Sequence, residues 1–177
     1  MKEVYKPLAV LACAAHLLFA VSFALRSTEE RMTAEERQTM METLLPGSTS
    51  FQEEAYSGED ESIRTVFKGE TGYVVETVTT GYAGDVTLWI GVNTEGSVTG
   101  LTVRDLAETS GLGRRAASDI GFLSQFLGTS GGVSVGEDID ALTGATVTSK
   151  AVTKGVNAAA GFVTGADVVT SATEWGG

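Results

Sequence analysis

The stretch Pro7 to Leu25, PLAVLACAAHLLFAVSFAL, holds 19 residues without a formal charge. Nothing else in the chain restricts its folding so strongly. As a helix it would be about 28 Å long, close to the ~30 Å hydrocarbon core of a bilayer. A transmembrane anchor fits this length and its charged flanks. A cleaved signal peptide competes, because Ser22-Phe23-Ala24 presents small residues of the kind a signal peptidase selects. A lipoprotein signal ending at Leu11-Ala12-Cys13 fits less well, since the apolar stretch continues past the cysteine. On length, the expectation is an uncleaved anchor.

Basic residues leave the orientation of this span open. Lys2, Lys6 and the amino terminus on one side are balanced by Arg26, Arg31 and Arg37 on the other. A short leading tail and a large acidic portion behind the span favour the amino terminus inside and the domain outside. His16 falls mid-span, where an ionisable group is by default a functional suspect. The span offers it no ionisable partner, so a neutral imidazole packed against a neighbouring helix is the better account.

Of the chain's 12 basic and 23 acidic residues, only Lys2, Lys6 and Glu3 precede the span, which leaves 10 against 22 behind it. Such a surface repels nucleic-acid phosphates and does not adhere to an anionic leaflet through a basic patch. The one cysteine, Cys13, and the one histidine, His16, both lie inside the apolar run. The rest of the chain therefore builds no disulfide, no Cys-rich metal site, no Ser-His-Asp triad and no His-metal centre. No metal ligands and no catalytic set are expected there. Any redox chemistry has to come from a bound cofactor.

Thr33-Ala34-Glu35-Glu36 has the pattern of a capping box, so a helix should begin there. Met40, Met41, Leu44 and Leu45 give it an apolar side, and Pro46-Gly47 ends it. It is expected to continue the line of the anchor as a stalk, with Ser57 to Glu61 a loop. Ile63 to Lys68, Tyr73 to Thr80, Val86 to Val92 and Val98 to Arg104 are rich in β-branched and aromatic residues and read as strands. Asn93 to Gly96 suits a hairpin turn. A helix is expected near Ala116 to Leu127, then a Gly/Ser loop at Gly128 to Gly132. A final helix from about Thr148 to Val163 shows Ala151, Val152, Val156, Ala159, Ala160 and Val163 mostly at helical spacing. The expected class is α+β, an antiparallel sheet with packed helices, preceded by one N-terminal transmembrane helix. The expected organisation is an anchor over 1–26, a helical stalk and linker over 27–60, and a ligand-binding domain over 61–177.

Two stretches could carry a site. In Asp140-Ala141-Leu142-Thr143-Gly144-Ala145-Thr146-Val147-Thr148-Ser149 a polar loop turns into a helix. Gly144 and Ala145 keep the backbone uncluttered, and Thr146, Thr148 and Ser149 bring hydroxyls to the helix start. Backbone N–H groups and the helix dipole there favour an anion, notably a phosphate. The ordinary reading is a glycine turn followed by Thr148 or Ser149 as N-cap. In Glu108-Thr109-Ser110-Gly111-Leu112-Gly113 the Gly-x-Gly lacks a strand-turn-helix context, and a plain loop explains it.

Asp140-x-x-Thr143-Gly144-Ala145-Thr146 resembles the flavinylation motif of the FMN-binding domains in the Rnf and Na⁺-translocating NADH:quinone oxidoreductase complexes. Glu108 to Gly113 is similar to the Glu-Thr-Pro-Gly-Leu-Gly loop of that family, with Ser110 in place of the usual Pro. Gly81-Tyr82-Ala83-Gly84 before the Val86 strand resembles its Gly-Tyr-x-Gly segment. Thr143 stands where Ser is commoner. The three motifs keep the family's order, and the resemblance covers roughly Ile63 to Val163.

The resemblance implies FMN bound covalently, its phosphate esterified to Thr146. It implies Asp140, Thr143, Gly144, Ala145 and Thr148 around the attachment point, with Glu108, Thr109, Ser110, Gly111, Leu112 and Gly113 packed near the flavin. A separate flavin transferase, using FAD and magnesium, would install the group outside the cytoplasm. The implied role is the electron-carrying subunit of a translocase, not a catalyst alone, like the G subunit of an Rnf-type ion-translocating ferredoxin:NAD oxidoreductase. Its partners would be the other membrane subunits, in the inner membrane. The short chain favours this over the longer C subunit of the Na⁺-translocating quinone reductase. A stand-alone extracytoplasmic FMN domain and a non-redox anchored ligand-binding module are the alternatives. Nothing in the residues selects Na⁺ or H⁺, or the immediate electron donor and acceptor.

Overall fold

The computed structural model describes residues 32–106 and 118–165. The Pro7–Leu25 run, with Cys13 and His16, and the Glu108–Gly113 loop lie outside the described residues. Among the described residues no helix is long and apolar enough to cross a membrane. The chain divides into two compact units, residues 1–37 and 38–177.

In the first unit the expected capping box is made. Glu36 N–H donates to Thr33 Oγ1 at 3.2 Å, and Thr33 N–H donates to Glu36 Oε2 at 2.8 Å. These bonds satisfy two donors at the start of helix α1, Ala34–Leu44. The Thr33 backbone N–H, and then its hydroxyl, hold the Glu36 carboxyl below the usual carboxylate range. The chain turns away after Pro46, where Gly47 takes φ +89°, a left-handed conformation that glycine adopts freely.

The second unit is built on a five-stranded antiparallel meander in the order β1-β2-β3-β4-β5. The strands are β1 Gln52–Glu54, β2 Ile63–Lys68, β3 Gly72–Thr80, β4 Asp85–Asn93 and β5 Val98–Leu106. Four of them fall where β-branched and aromatic residues cluster. The fifth, β1, is three polar residues at the sheet edge and has no apolar pattern to announce it. The Asn93–Gly96 turn forms as expected. Asn93 Oδ1 accepts from Glu95 N–H at 3.0 Å and Ser97 N–H at 2.9 Å, and Gly96 takes φ +85°.

Both faces of the sheet are covered, which is why β4 is buried almost throughout. On one face lie α2, Ile120–Ser124, and α3, Thr146–Thr164. Val66, Val75, Leu88, Ile90 and Val92 of the strands form one core with Phe122, Phe126, Ile139, Val152 and Val156. The α3 surface is small where it meets β3. A Cβ on Gly155 would come within 2.6 Å of Thr77 Oγ1 and 2.8 Å of Leu88 Cδ1. Thr77 Oγ1 is buried there without a hydrogen-bond partner.

The opposite face receives the end of α1. Met41, Leu44 and Leu45 are buried. Gly91 and Gly100 are register partners on β4 and β5. A Cβ on Gly91 would collide with the Leu44 carbonyl oxygen, and one on Gly100 would sit 2.9 Å from it. Thr99 Oγ1 donates to that carbonyl at 2.6 Å. The paired glycines thus form a seat into which the helix end drops. Beside it, Trp89 packs on Phe67 at 5.7 Å between centroids and donates from Nε1 to Glu76 Oε1 at 3.1 Å. The Arg104 guanidinium lies 4.9 Å from the Trp89 ring centre, within cation–π range.

Candidate functional site

Helix α3 runs antiparallel to β3, and three contacts fix its direction. Near its start, Thr79 Oγ1 donates to the Ala151 carbonyl at 2.9 Å. Midway, Gly155 lies over Thr77. Near its end, Phe162 meets Tyr73 edge-on at 5.4 Å. The first turn of α3 therefore lies at the end of the sheet where β3 turns into β4. That turn is Gly81 to Gly84, closed by Gly81 N–H donating to the Gly84 carbonyl at 2.8 Å, with Tyr82 80% exposed. Leu106, the last residue of β5, pairs with Val86 at the same end. The sheet thus brings together the Gly81–Gly84 turn and the helix start that follows Gly144.

The turn before Thr146 is tightly built. Ala145 N–H donates to the Leu142 carbonyl at 2.9 Å, with Gly144 at φ +79° between them. An L side chain at Gly144 would be strained, so glycine is needed for the turn. Ser149 Oγ ties this turn to α3. It accepts from Leu142 N–H at 3.1 Å and donates to the Ala145 carbonyl at 2.9 Å. Farther back, Asp140 N–H donates to Gln125 Oε1 at 2.8 Å, and Gln125 Nε2 donates to the Asp140 carbonyl at 3.3 Å.

Helix α3 starts two residues earlier than its apolar pattern suggests. The N-cap is Ala145, with no side-chain cap hydrogen bond. Neither Thr148 nor Ser149 caps the helix. Both lie inside the first turn, 1% and 0% exposed, because the Leu142–Ala145 turn uses the Ser149 hydroxyl and carries the chain into helical geometry sooner. Thr146 is the first helical residue and is exposed. The helix start thus has N–H groups without intrahelical partners and no side-chain cap, with a free-standing hydroxyl among them.

Of the residues expected at the site, Asp140, Thr143, Gly144 and Thr146 are exposed around this turn, while Ala145 and Thr148 are buried beneath it. Glu108 to Gly113 lie outside the described residues. Sequence reasoning missed Gln125 as part of the site, because a residue 15 positions from its partner leaves no local pattern. Among the described residues no group of three or more His, Cys, Asp or Glu side chains is placed to hold a metal. A cleft of about 660 Å³ lies between the Tyr56–Asp60 loop and Phe162. It is toward the far end of α3 from Thr146, roughly 24 Å along the helix.

The residues present suit a phosphate ester. The hydroxyl is exposed, the turn before it is open, and the helix start offers backbone donors and a positive dipole end to an anion. Known proteins agree in kind. Residues 81–161 match the FMN-binding domain family. The chain is 33% identical to the G subunit of the Na(+)-translocating ferredoxin:NAD(+) oxidoreductase complex of Acetobacterium woodii, over 84% of this chain and 83% of that one. It is 39% identical to the G subunit of the proton-translocating ferredoxin:NAD(+) oxidoreductase complex of Clostridium ljungdahlii, over 52% of this chain and 53% of that one. Against the G subunit of the ion-translocating oxidoreductase complex of Methanosarcina acetivorans the identity is 28%, over 92% and 95%. The chain therefore belongs to the G-subunit family of ion-translocating oxidoreductase complexes, and its antiparallel α+β unit contains that family's FMN-binding domain.

Proposed function

We propose that this chain carries FMN covalently on Thr146 Oγ1 and relays electrons within an Rnf-type ferredoxin:NAD oxidoreductase. The observation that carries the reading is the exposed Thr146 hydroxyl at an uncapped helix start, directly behind the Gly144 turn. A flavin transferase would act on FAD. The Thr146 hydroxyl loses its proton as its oxygen bonds to the FMN phosphorus, the pyrophosphate bond breaks and AMP leaves. When bound, FMN supplies one- and two-electron redox chemistry. This chain's own residues do the rest. Thr146 holds the phosphate, the first-turn N–H groups of α3 face its charge, and Asp140, Thr143, Gly144 and Ala145 shape the turn. Glu108 to Gly113, matched to the family's loop by motif alone, would pack near the flavin.

Covalent attachment removes a dissociation equilibrium, so an open site stays loaded outside the cytoplasm. We infer a single-pass anchor at Pro7–Leu25 ahead of an extracytoplasmic FMN domain, which takes in the end of α1 and β1, read from sequence as stalk and linker, together with 61–177. Other membrane subunits of the complex are its partners. Relatives named for sodium and for proton translocation both resemble this chain, so the ion path is assigned to those other subunits. The test is the full chain produced with the transferase. Denatured protein should keep flavin fluorescence on a gel, and peptide mapping should place the added mass on Thr146. Thr146→Ala should lose both, and fluorescence retained in that variant would falsify the assignment.

A further inference from the structure

Gln125 has a place in the fold that neither the motif nor the core explains. It is the C-cap of α2, between Phe122 and Phe126, which stack edge-on at 5.4 Å inside the core. Its side chain points the other way and grips the Asp140 backbone on both sides, accepting from N–H at 2.8 Å and donating to C=O at 3.3 Å. Asp140 follows Ile139, which is 1% exposed. Each partner is thus pinned by a core neighbour, and the amide pair is a short strut between two fixed points. One end of the strut is the C-cap of α2, whose Phe122 lies in the core. The other is the first residue of the turn that ends at Thr146. Ser149 secures the far side of that turn to α3.

We propose that Gln125 is a positioning residue for the bound flavin, fixing the turn that carries Thr146 to the core through α2. The proposal rests on the attachment reading above. A phosphoester fixes one atom of FMN and leaves the chain beyond it free to rotate. How freely the ring swings then depends on how rigidly the attachment turn is held to α2. Only a group offering both a donor and an acceptor satisfies Asp140 N–H and C=O together, and a Gln side chain does so without a charge.

The test uses the full-length chain, loaded by the transferase and purified in detergent. Gln125→Ala should retain covalent flavin. The steady-state fluorescence anisotropy of that flavin should fall toward the value of the denatured loaded chain, and its midpoint potential should shift toward that of free FMN. Gln125→Glu keeps the acceptor for Asp140 N–H and loses the donor, so it should fall between Gln125→Ala and the parent. It also decides the matter if Gln125→Ala does not fold. In the unloaded chain, Asp140 N–H should exchange faster in Gln125→Ala and stay protected in Gln125→Glu, which keeps the acceptor. A purely structural role would speed that exchange and leave flavin anisotropy and potential untouched, and that outcome overturns the proposal. Thr146→Ala run alongside separates the two readings, because fluorescence retained there defeats the attachment site whatever Gln125 does.

Discussion

The two longest helices among the described residues begin in opposite ways. Helix α1 closes its first turn with its own side chains, Thr33 and Glu36 each bonding the other's backbone N–H. Helix α3 begins on Ala145 with no side-chain cap and no acidic residue in its first turn. Both sequences contain hydroxyl residues near the start, so the difference is one of placement. In α1 the hydroxyl precedes the helix and turns back on it. In α3 the candidate caps Thr148 and Ser149 are buried inside, and Thr146 points out. A helix start without a side-chain cap suits a site for an external anion.

The helix seats make the largest break in this comparison. Each helix approaches the sheet through glycine, but against different atoms. At Gly91 the opposing atom is the Leu44 backbone carbonyl, already held by Thr99. At Gly155 the opposing atoms are Thr77 Oγ1 and Leu88 Cδ1, the ends of side chains that can rotate. Gly91→Ala should therefore cost at the upper end of the ~1–3 kcal/mol typical of overpacking. Gly155→Ala should cost far less, because replacing a helix-interior glycine returns up to about 1 kcal/mol. Thermal unfolding of the two variants checks this. Equal losses would mean that α3 is seated as rigidly as α1.

The caps come next. Thr33→Ala should destabilise by about 1 kcal/mol, the usual cost of losing such a cap. The complementary change, Ala145→Ser, offers α3 the cap it lacks. It should stabilise the unloaded chain by up to about 1 kcal/mol and narrow the gain in melting temperature on flavin loading, since the added hydroxyl competes for the same N–H groups. If Ala145→Ser leaves that gain unchanged, the open helix start is not where the phosphate charge is felt.

Much of this contrast was legible in the sequence, and the remainder has a physical reason for being hidden. The capping box, the Asn93–Gly96 turn and four of the five strands follow local rules that act within a few residues. Strand β1 did not show itself, because Gln52-Glu53-Glu54 pairs only by backbone at an edge and needs no apolar alternation. The start of α3 was misplaced by two residues. Hydrophobic periodicity marks where a helix becomes buried, whereas the turn that launches this one is held by Ser149 reaching back to Leu142. The motif around Thr146 was legible through resemblance to a family, while physics alone allowed a plain capped helix. Gln125 was invisible, since its partner is fixed only by the tertiary fold.

The smallest expected effect concerns how the chain leaves α1. Glu70, in the β2–β3 turn, accepts from Thr49 N–H at 3.0 Å, Ser50 N–H at 3.3 Å and Ser50 Oγ at 2.9 Å. Its own backbone N–H, and then the Ser50 hydroxyl, pull its carboxyl from an ordinary 4.5 down to about 2. A carboxyl lowered in the folded state contributes stability above its unfolded pKa and loses it as pH falls through the folded one. The tie between the α1 exit and the turn should thus be intact above pH 4.5 and loosen from there toward pH 2. Full exposure to solvent keeps the effect small. Helix α3 has no carboxylate at its start, so its first turn should not share this dependence. Amide-exchange protection factors measured down this range should drop at Thr49 and Ser50 and hold at Ser149. In Glu70→Gln the drop at Thr49 and Ser50 should vanish, protection there already being low at neutral pH. Parallel acid loss at Ser149 would mean that the two helices answer to pH through the whole unit and not through their own ends.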